Sequence, residues 1–134
     1  MTKLNESFFE FKLDSVYRIQ INKEIRNIYG IDKYVYLIYQ EIDGKKYIKI
    51  TGKTIDSCQV IKKLDRGNRL LIPKCIRNKL GLNKGDLLLS YIDVTDKSNE
   101  YLYLKKWVKN FSLIFFIFNF FIKNIDILLY SVII

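Results

Sequence analysis

The sequence has no histidine and no alanine, and among its 134 residues it has one proline, one tryptophan, one methionine and two cysteines. Without histidine, the commonest general base and the commonest zinc ligand are both missing. Cys58 and Cys75 stand seventeen positions apart with no Cys-x-x-Cys spacing. Triad catalysis and metal chemistry are therefore poor expectations, and none of the residues is expected to be catalytic, to ligate a metal or to hold a cofactor. A disulfide would need the two Cα atoms within about 7 Å, and a reduced, buried thiol is the commoner fate in a small intracellular protein. Acidic residues are also few, 14 against 23 Lys and Arg, which leaves a formal charge of +9. With 49% apolar residues the chain is no disordered basic tail; it should fold and meet an anionic partner. The 21 Ile, 10 Tyr and 9 Phe favour pleated, half-buried strands over long helices. The length suits one compact domain or two very small ones and is short for a multidomain enzyme. Residues 1–10 lack the charged start and apolar run of a secretory signal, so a cytoplasmic location is expected.

An internal repeat is present at an offset of 51. Lys12, Leu13 and Asp14 fall on Lys63, Leu64 and Asp65, and Arg18 falls on Arg69. Ile21 and Lys23 fall on Ile72 and Lys74, Ile25-Arg26-Asn27 on Ile76-Arg77-Asn78, Gly30 on Gly81, Lys33 on Lys84 and Leu37 on Leu88. That makes twelve identities in the thirty-two positions from 12 to 43. A unit of about 45 residues is too small to bury an adequate core alone, so the two copies are expected to complete one shared core.

In the second copy Gln59 to Leu64 reads as a strand, Asp65-Arg66-Gly67-Asn68 as a turn, and Arg69 to Ile72 as a short strand. Pro73 suits the first position of a helix, Ile76 and Leu80 at i, i+4 give it a small apolar face, and Gly81 ends it. Leu87 to Val94 and Tyr101 to Lys105 read as two further strands, joined by the polar stretch Thr95 to Glu100. The first copy repeats this order, with Asn22 at the place of Pro73 and Gly30 as the helix stop. Its hairpin turns through Asp43-Gly44 between Tyr34 to Ile42 and Tyr47 to Ile50; Asp-Gly between apolar-rich runs is a strong hairpin signal.

The run from Lys62 through Asp65-Arg66-Gly67-Asn68-Arg69 to Ile72-Pro73, with Ile76-Arg77 and then Leu80-Gly81-Leu82-Asn83-Lys84-Gly85-Asp86, resembles the AbrB/SpoVT swapped-hairpin DNA-binding family. The likeness covers residues 57–106. Residues 11–52 resemble the same pattern with departures: no proline, Val16 at the turn glycine, and Tyr34-Val35 in place of Gly-Asp. The resemblance implies a mainly β fold with short helices, in which two copies interleave hairpins into one barrel. Here that barrel is expected to form within the chain, as an intramolecular pseudo-dimer; pairing between chains through like repeats is the alternative, as is further homo-oligomerisation. It also implies sequence-selective binding of double-stranded DNA, either by a transcriptional regulator or by an antitoxin of the MazE type. The family's basic positions fall on Lys62, Arg69 and Arg77 in the second copy and on Phe11, Arg18 and Arg26 in the first. The expected parts are an arm over 1–10, a degenerate first repeat over 11–52, a DNA-binding second repeat over 57–106, and an apolar extension over 107–134.

Charge supports the same division without the resemblance. Residues 62–84 carry eight Lys or Arg against Asp65 alone, a net of +7, while residues 11–33 carry five against three, a net of +2. Lys62, Lys63, Arg66, Arg69, Lys74 and Arg77, with Arg18 and Arg26, are the candidate DNA contacts: guanidinium forks match phosphates and guanine edges. A solvated basic face is the competing reading of such a run. Asp14 and Asp65 read as turn initiators that accept backbone N–H groups rather than as catalytic acids. Tyr34, Tyr36, Tyr39, Tyr101 and Tyr103 read as one side of a strand before they read as base-stacking platforms. Gly67 reads as a turn residue before it reads as part of a phosphate loop, because no GxxxxGK[ST] occurs.

In the segment 111–134, eighteen of twenty-four residues are apolar and six of the nine Phe are found. As a helix it would be about 36 Å long, enough for a bilayer core of roughly 30 Å, but Lys123 and Asp126 lie well inside it. Ser112, Asn119, Lys123, Asp126 and Tyr130 fall on one stripe, which suits an amphipathic helix against a protein partner or a membrane surface. A strand added to the sheet is the third reading. The alternatives to a plain regulator follow from this segment: an antitoxin-like module that binds a protein toxin through it, or a membrane-tethered DNA-binding factor.

Overall fold

The computed structural model describes residues 2–54 and 60–108. Of these, 46% are in strands and 13% in helices. The same five elements occur twice. The first copy contains β1 (Leu4–Lys12), β2 (Arg18–Gln20), α1 (Lys23–Ile28), β3 (Tyr34–Ile42) and β4 (Lys45–Thr51). The second contains β5 (Val60–Lys63), β6 (Arg69–Leu71), α2 (Lys74–Leu80), β7 (Leu87–Asp93) and β8 (Leu102–Lys106).

Local chemistry explains the boundaries. The side chain of Asn22 accepts the Ile25 N–H at 2.9 Å and so starts α1. Pro73 stands at the N-cap of α2, one residue earlier than the expected first helical position, and makes no side-chain cap bond. Gly81 closes α2 in the left-handed region at φ 64°, and its counterpart Gly30 has φ 65° just beyond α1. Helices of six and seven residues are not stable alone, and both are held by buried apolar residues, Ile25 in one and Ile76 and Leu80 in the other. Asp43 and Gly44 both have positive φ, 51° and 75°, as the two-residue β3–β4 hairpin requires.

The strands form a six-stranded antiparallel sheet, in the order β1-β7-β8-β4-β3-β5, and a separate β2-β6 pair. Exchanging the two copies reverses that order onto itself, so a pseudo-twofold axis passes between β4 and β8. The first strand of each copy pairs with the other copy's hairpin, β1 with β7 and β5 with β3. Equivalent backbone bonds cross between copies: Ile21 N–H to the Asn68 carbonyl and Ile72 N–H to the Tyr17 carbonyl, both 2.9 Å. Among the described residues no pairing joins β1 to β5, so the sheet is open at those two edges.

One core serves both copies. Leu13, Ile19, Ile21, Leu37, Ile48 and Ile50 from the first pack with Leu70, Ile72, Leu88, Leu102 and Leu104 from the second, all fully buried. The tyrosines of the β-strands lie mainly on the other side of the sheet. Tyr47 meets Tyr91 and Tyr103 edge-on, with ring centroids 5.7 and 6.3 Å apart, and burial pushes the Tyr103 phenol up to about 12.

Two expectations change, for residues 4–10 and for Cys75, and the loss of charge at Phe11 finds its reason. Residues 4–10 belong to β1 and to the sheet, and do not form a separate arm. Phe11, the first copy's counterpart of basic Lys62, is a core residue at 4% exposure opposite Leu88. Cys75 is a free thiol that is exposed on α2, because Ile76 and Leu80 take the buried face of that helix. Cys58 and the extension from 109 onward, including the helix, membrane and strand readings of 111–134, lie outside the described residues. Among the described residues no helix is long and apolar enough to cross a membrane.

Gly52 sits where β4 runs against the end of α1, donating to the Tyr29 carbonyl at 3.0 Å. A Cβ there would overlap the Gly30 carbonyl. Gly52→Ala should therefore cost roughly 1–3 kcal/mol or more in urea unfolding. Wild type and variant should both unfold in one transition seen identically by far-UV dichroism and tyrosine fluorescence, since neither copy has a core of its own; two separated transitions would contradict the shared core.

Candidate nucleic-acid interface

The two turns that precede β2 and β6 are built alike. Asp14 Oδ1 accepts the N–H groups of Val16 and Arg18 at 2.9 and 2.8 Å; Asp65 Oδ1 accepts those of Gly67 and Arg69, both at 2.9 Å. Each carboxylate then holds the Nε of the arginine four residues on, Arg18 or Arg69, at 2.9 Å. The residue before each arginine is in the left-handed region, Tyr17 at φ 64° and Asn68 at φ 58°. Asparagine adopts that conformation readily, but a tyrosine there is strained. Gly67 is not the left-handed residue. It leaves room instead, because a Cβ on Gly67 would come within 3.1 Å of Arg69 Nε.

The β2–β6 pairing sets these turns side by side. Gln20 Nε2 donates to the Gly67 carbonyl at 2.7 Å. Arg18 reaches across with NH1 to Asp65 Oδ2 at 3.2 Å, so it bridges the carboxylates of both copies. Two arginines and two aspartates thus form a ladder with no net charge. Backbone N–H bonds, led by those of Arg18 and Arg69, hold the Asp14 and Asp65 carboxyls below the ordinary 3.8.

The eight predicted contact residues separate accordingly. Arg18 and Arg69 are committed to turn carboxylates and shape the loops. Arg66 is exposed at the turn tip, Lys62 and Lys63 are on edge strand β5, and Lys74 is exposed on the first turn of α2. None of these four forms an ion pair among the described residues. Arg77, on α2, lays its guanidinium on the Tyr17 ring with 3.8 Å to the centroid, and Lys84 lies 5.7 Å from the same ring. Arg77 therefore sits by the first copy's turn although it belongs to the second. In the repeat, the position that matches Tyr17 is Asn68, which offers no ring to the counterpart Arg26. The Nε atoms of both Arg26 and Arg77 are buried with no acceptor among the described residues.

Tyr17, Gln20 and Lys84 were not among the predicted contacts. Tyr17 was detectable as the aromatic that stands opposite Asn68 in the repeat; Gln20 and Lys84 join the site only through the crossing of the copies. Among the described residues no group of three or more His, Cys, Asp and Glu could hold a metal ion. Compared with models of known protein families and with curated proteins, the chain finds no match.

Lowered carboxyl values stabilise the fold at pH values above the unfolded carboxyl value, and that stabilisation is lost as pH falls through the lower folded ones. Melting temperature should therefore fall steadily below about pH 4. Asp14→Asn with Asp65→Asn should lower it at neutral pH and flatten the acid limb, leaving the part contributed by Asp93, which is also lowered. An acid limb unchanged in the double variant would show that the turns are not pinned by these carboxylates.

Proposed function

We propose that the chain is a DNA-binding transcriptional regulator of the AbrB type, built as an intramolecular pseudo-dimer of two swapped-hairpin copies. The observation that carries this reading is the pair of aspartate-pinned turns brought together by β2 and β6 and flanked by basic groups that have no carboxylate partner among the described residues. A protein with twofold character meets the pseudo-dyad of a duplex by offering equivalent elements to its two half-sites. The strand exchange between copies supports the swapped-hairpin architecture, and the net of +7 over residues 62–84 supports a polyanionic partner.

In this reading the residues divide their work. Arg18 and Arg69 position the turns. Arg66, at the tip, is the side chain best placed to reach base edges or phosphates, because among the described residues no carboxylate pairs with it. Lys62, Lys63 and Lys74 contribute phosphate contacts, which give affinity and salt dependence without sequence information. Stacking on Tyr17 fixes the plane of Arg77, which helps an arginine meet a phosphate with little loss of side-chain freedom. The first copy contributes less charge and one fewer stacked arginine, so the second copy supplies most of the contact.

The test is an electrophoretic shift of duplex DNA over a salt series. Affinity should fall steeply with salt, and Arg66→Ala should lower the log–log slope by about 1 while leaving the unfolding midpoint unchanged. Arg69→Ala should lower affinity and unfolding midpoint together, because it loosens the turn itself. A shift insensitive to salt, or unaffected by Arg66→Ala, would overturn the assignment.

A further inference from the structure

The sheet has a second apolar face. Backbone pairing runs from Tyr91 to Tyr103, from Tyr103 to Lys49 and from Lys49 to Ile38, so these side chains form one row across β7, β8, β4 and β3 on the side away from the core. Tyr47 and Tyr103 on that side are 5% and 4% exposed, yet neither belongs to the core cluster. Alternation along the strands adds Leu87 and Leu89 on β7 and Ile42 on β3, all partly buried. The Lys49 ammonium lies over the Tyr101 ring at 3.9 Å, so even this cation is spread along the face. An antiparallel sheet with one solvated face alternates apolar inward and polar outward, whereas apolar residues on both faces mark a sheet covered on both. The β2–β6 pair packs on the core side through Ile19 and Leu70 and does not cover the outer face.

The end of the described chain leads onto this face. Trp107 N–H donates to the Leu87 carbonyl at 2.8 Å, which carries the alternation of β8 one residue on and sets Trp107 beside Leu87. Val108 follows, 68% exposed, and lines a small cavity with Gly44 and Lys45 at the β3–β4 hairpin. Lys45 also borders a cavity of about 610 Å³, lined in part by Leu4, Gln40, Ile42 and Tyr47. Twenty-six residues follow Val108, and eighteen of the twenty-four in 111–134 are apolar. Even at the helical rise of about 1.5 Å per residue, twenty-four residues reach about 36 Å, and six strands about 4.8 Å apart span only roughly 24 Å.

We propose that residues 111–134 of the same chain dock on the outer face of the sheet, over Tyr47, Tyr91 and Tyr103 and into the cavity beside Ile42. An apolar face and an apolar segment joined at Val108 each remove the other from water, and a contiguous apolar patch of this kind on a folded domain marks an interaction site. The short connection holds face and segment at an effective concentration of millimolar order, which favours the chain's own segment over that of a second copy. The paired turns lie on the core side of the sheet, so the docking does not depend on what they bind.

The experiment is nuclear Overhauser spectroscopy on the full chain, with a second sample mixed from labelled and unlabelled chains to separate contacts within a chain from contacts between chains. Ring protons of the Phe residues between 111 and 121 should show contacts within one chain to methyl groups of Ile38, Ile42, Leu87 and Leu89. Ile38→Glu with Leu89→Glu should abolish these contacts and speed chymotrypsin cleavage after those Phe residues tenfold or more, equivalent to about 1.4 kcal/mol in the docking equilibrium. Unchanged amide shifts at Ile19 and Leu70 would report that the core of this variant is intact. Ile38→Leu with Leu89→Ile should keep both the contacts and the protection, and Leu71→Glu, on the exposed side of β6, should alter neither. Contacts found only between chains would assign the face to a second copy, and contacts absent from the face would leave it to a different partner. Either result overturns the proposal, as does unchanged cleavage in the Glu pair with the core intact. The wild-type spectrum decides the docking whether or not the Glu pair folds.

Discussion

Each copy of the repeat leaves its first strand without a partner of its own. β1 is hydrogen-bonded to β7 and β5 to β3, so the hairpin that completes each copy comes from the other. A unit of about 45 residues buries too little apolar surface to offset the entropy of ordering it, and exchanging strands is a direct solution, because the side chains of both copies then face one core. The placement of the turns follows from this crossing. Ile21 and Ile72 donate to carbonyls in the opposite copy's turn, which is why β2 and β6 pair and the two aspartate-pinned loops lie side by side.

The asymmetry between copies is as informative as the symmetry. Equivalent positions hold core Phe11 and edge Lys62, strained Tyr17 and relaxed Asn68, Val16 and Gly67. In each pair the first copy gives up charge or ease of turning. Tyr17 compensates by forming the platform on which Arg77 stacks, so the left-handed tyrosine in one turn organises a basic group from the other copy. Arg18, by contrast with Arg69, spans both carboxylates, and this ties the first copy into a surface whose cations come mostly from the second.

Much of the fold was legible in the sequence because its signals are local. The offset of 51, Asp43-Gly44, Gly30, Gly81 and the Ile76–Leu80 spacing placed the two helices and most strands within a residue or two. Residues 4–10 were missed because a register shift between Glu6 and Glu10 breaks the alternation that marks a strand. The commitment of Arg18 and Arg69 to Asp14 and Asp65 was present as the same Asp-x-x-x-Arg spacing in both copies, yet charge counting treats those arginines as available. Gln20 and Lys84 at the turns depend on segments that meet only after the strands exchange, and no local pattern announces them.

In the proposed function the two turns act as one surface on a duplex. Amide shifts of the full chain on adding duplex DNA at low salt test it most directly. Residues 14–18 and 65–69 are predicted to move together and saturate at the same duplex concentration, larger in the second copy, with the Tyr17 ring and the Arg77 side chain following them. Shifts confined to one turn, or absent from both while the DNA is bound, would contradict the account.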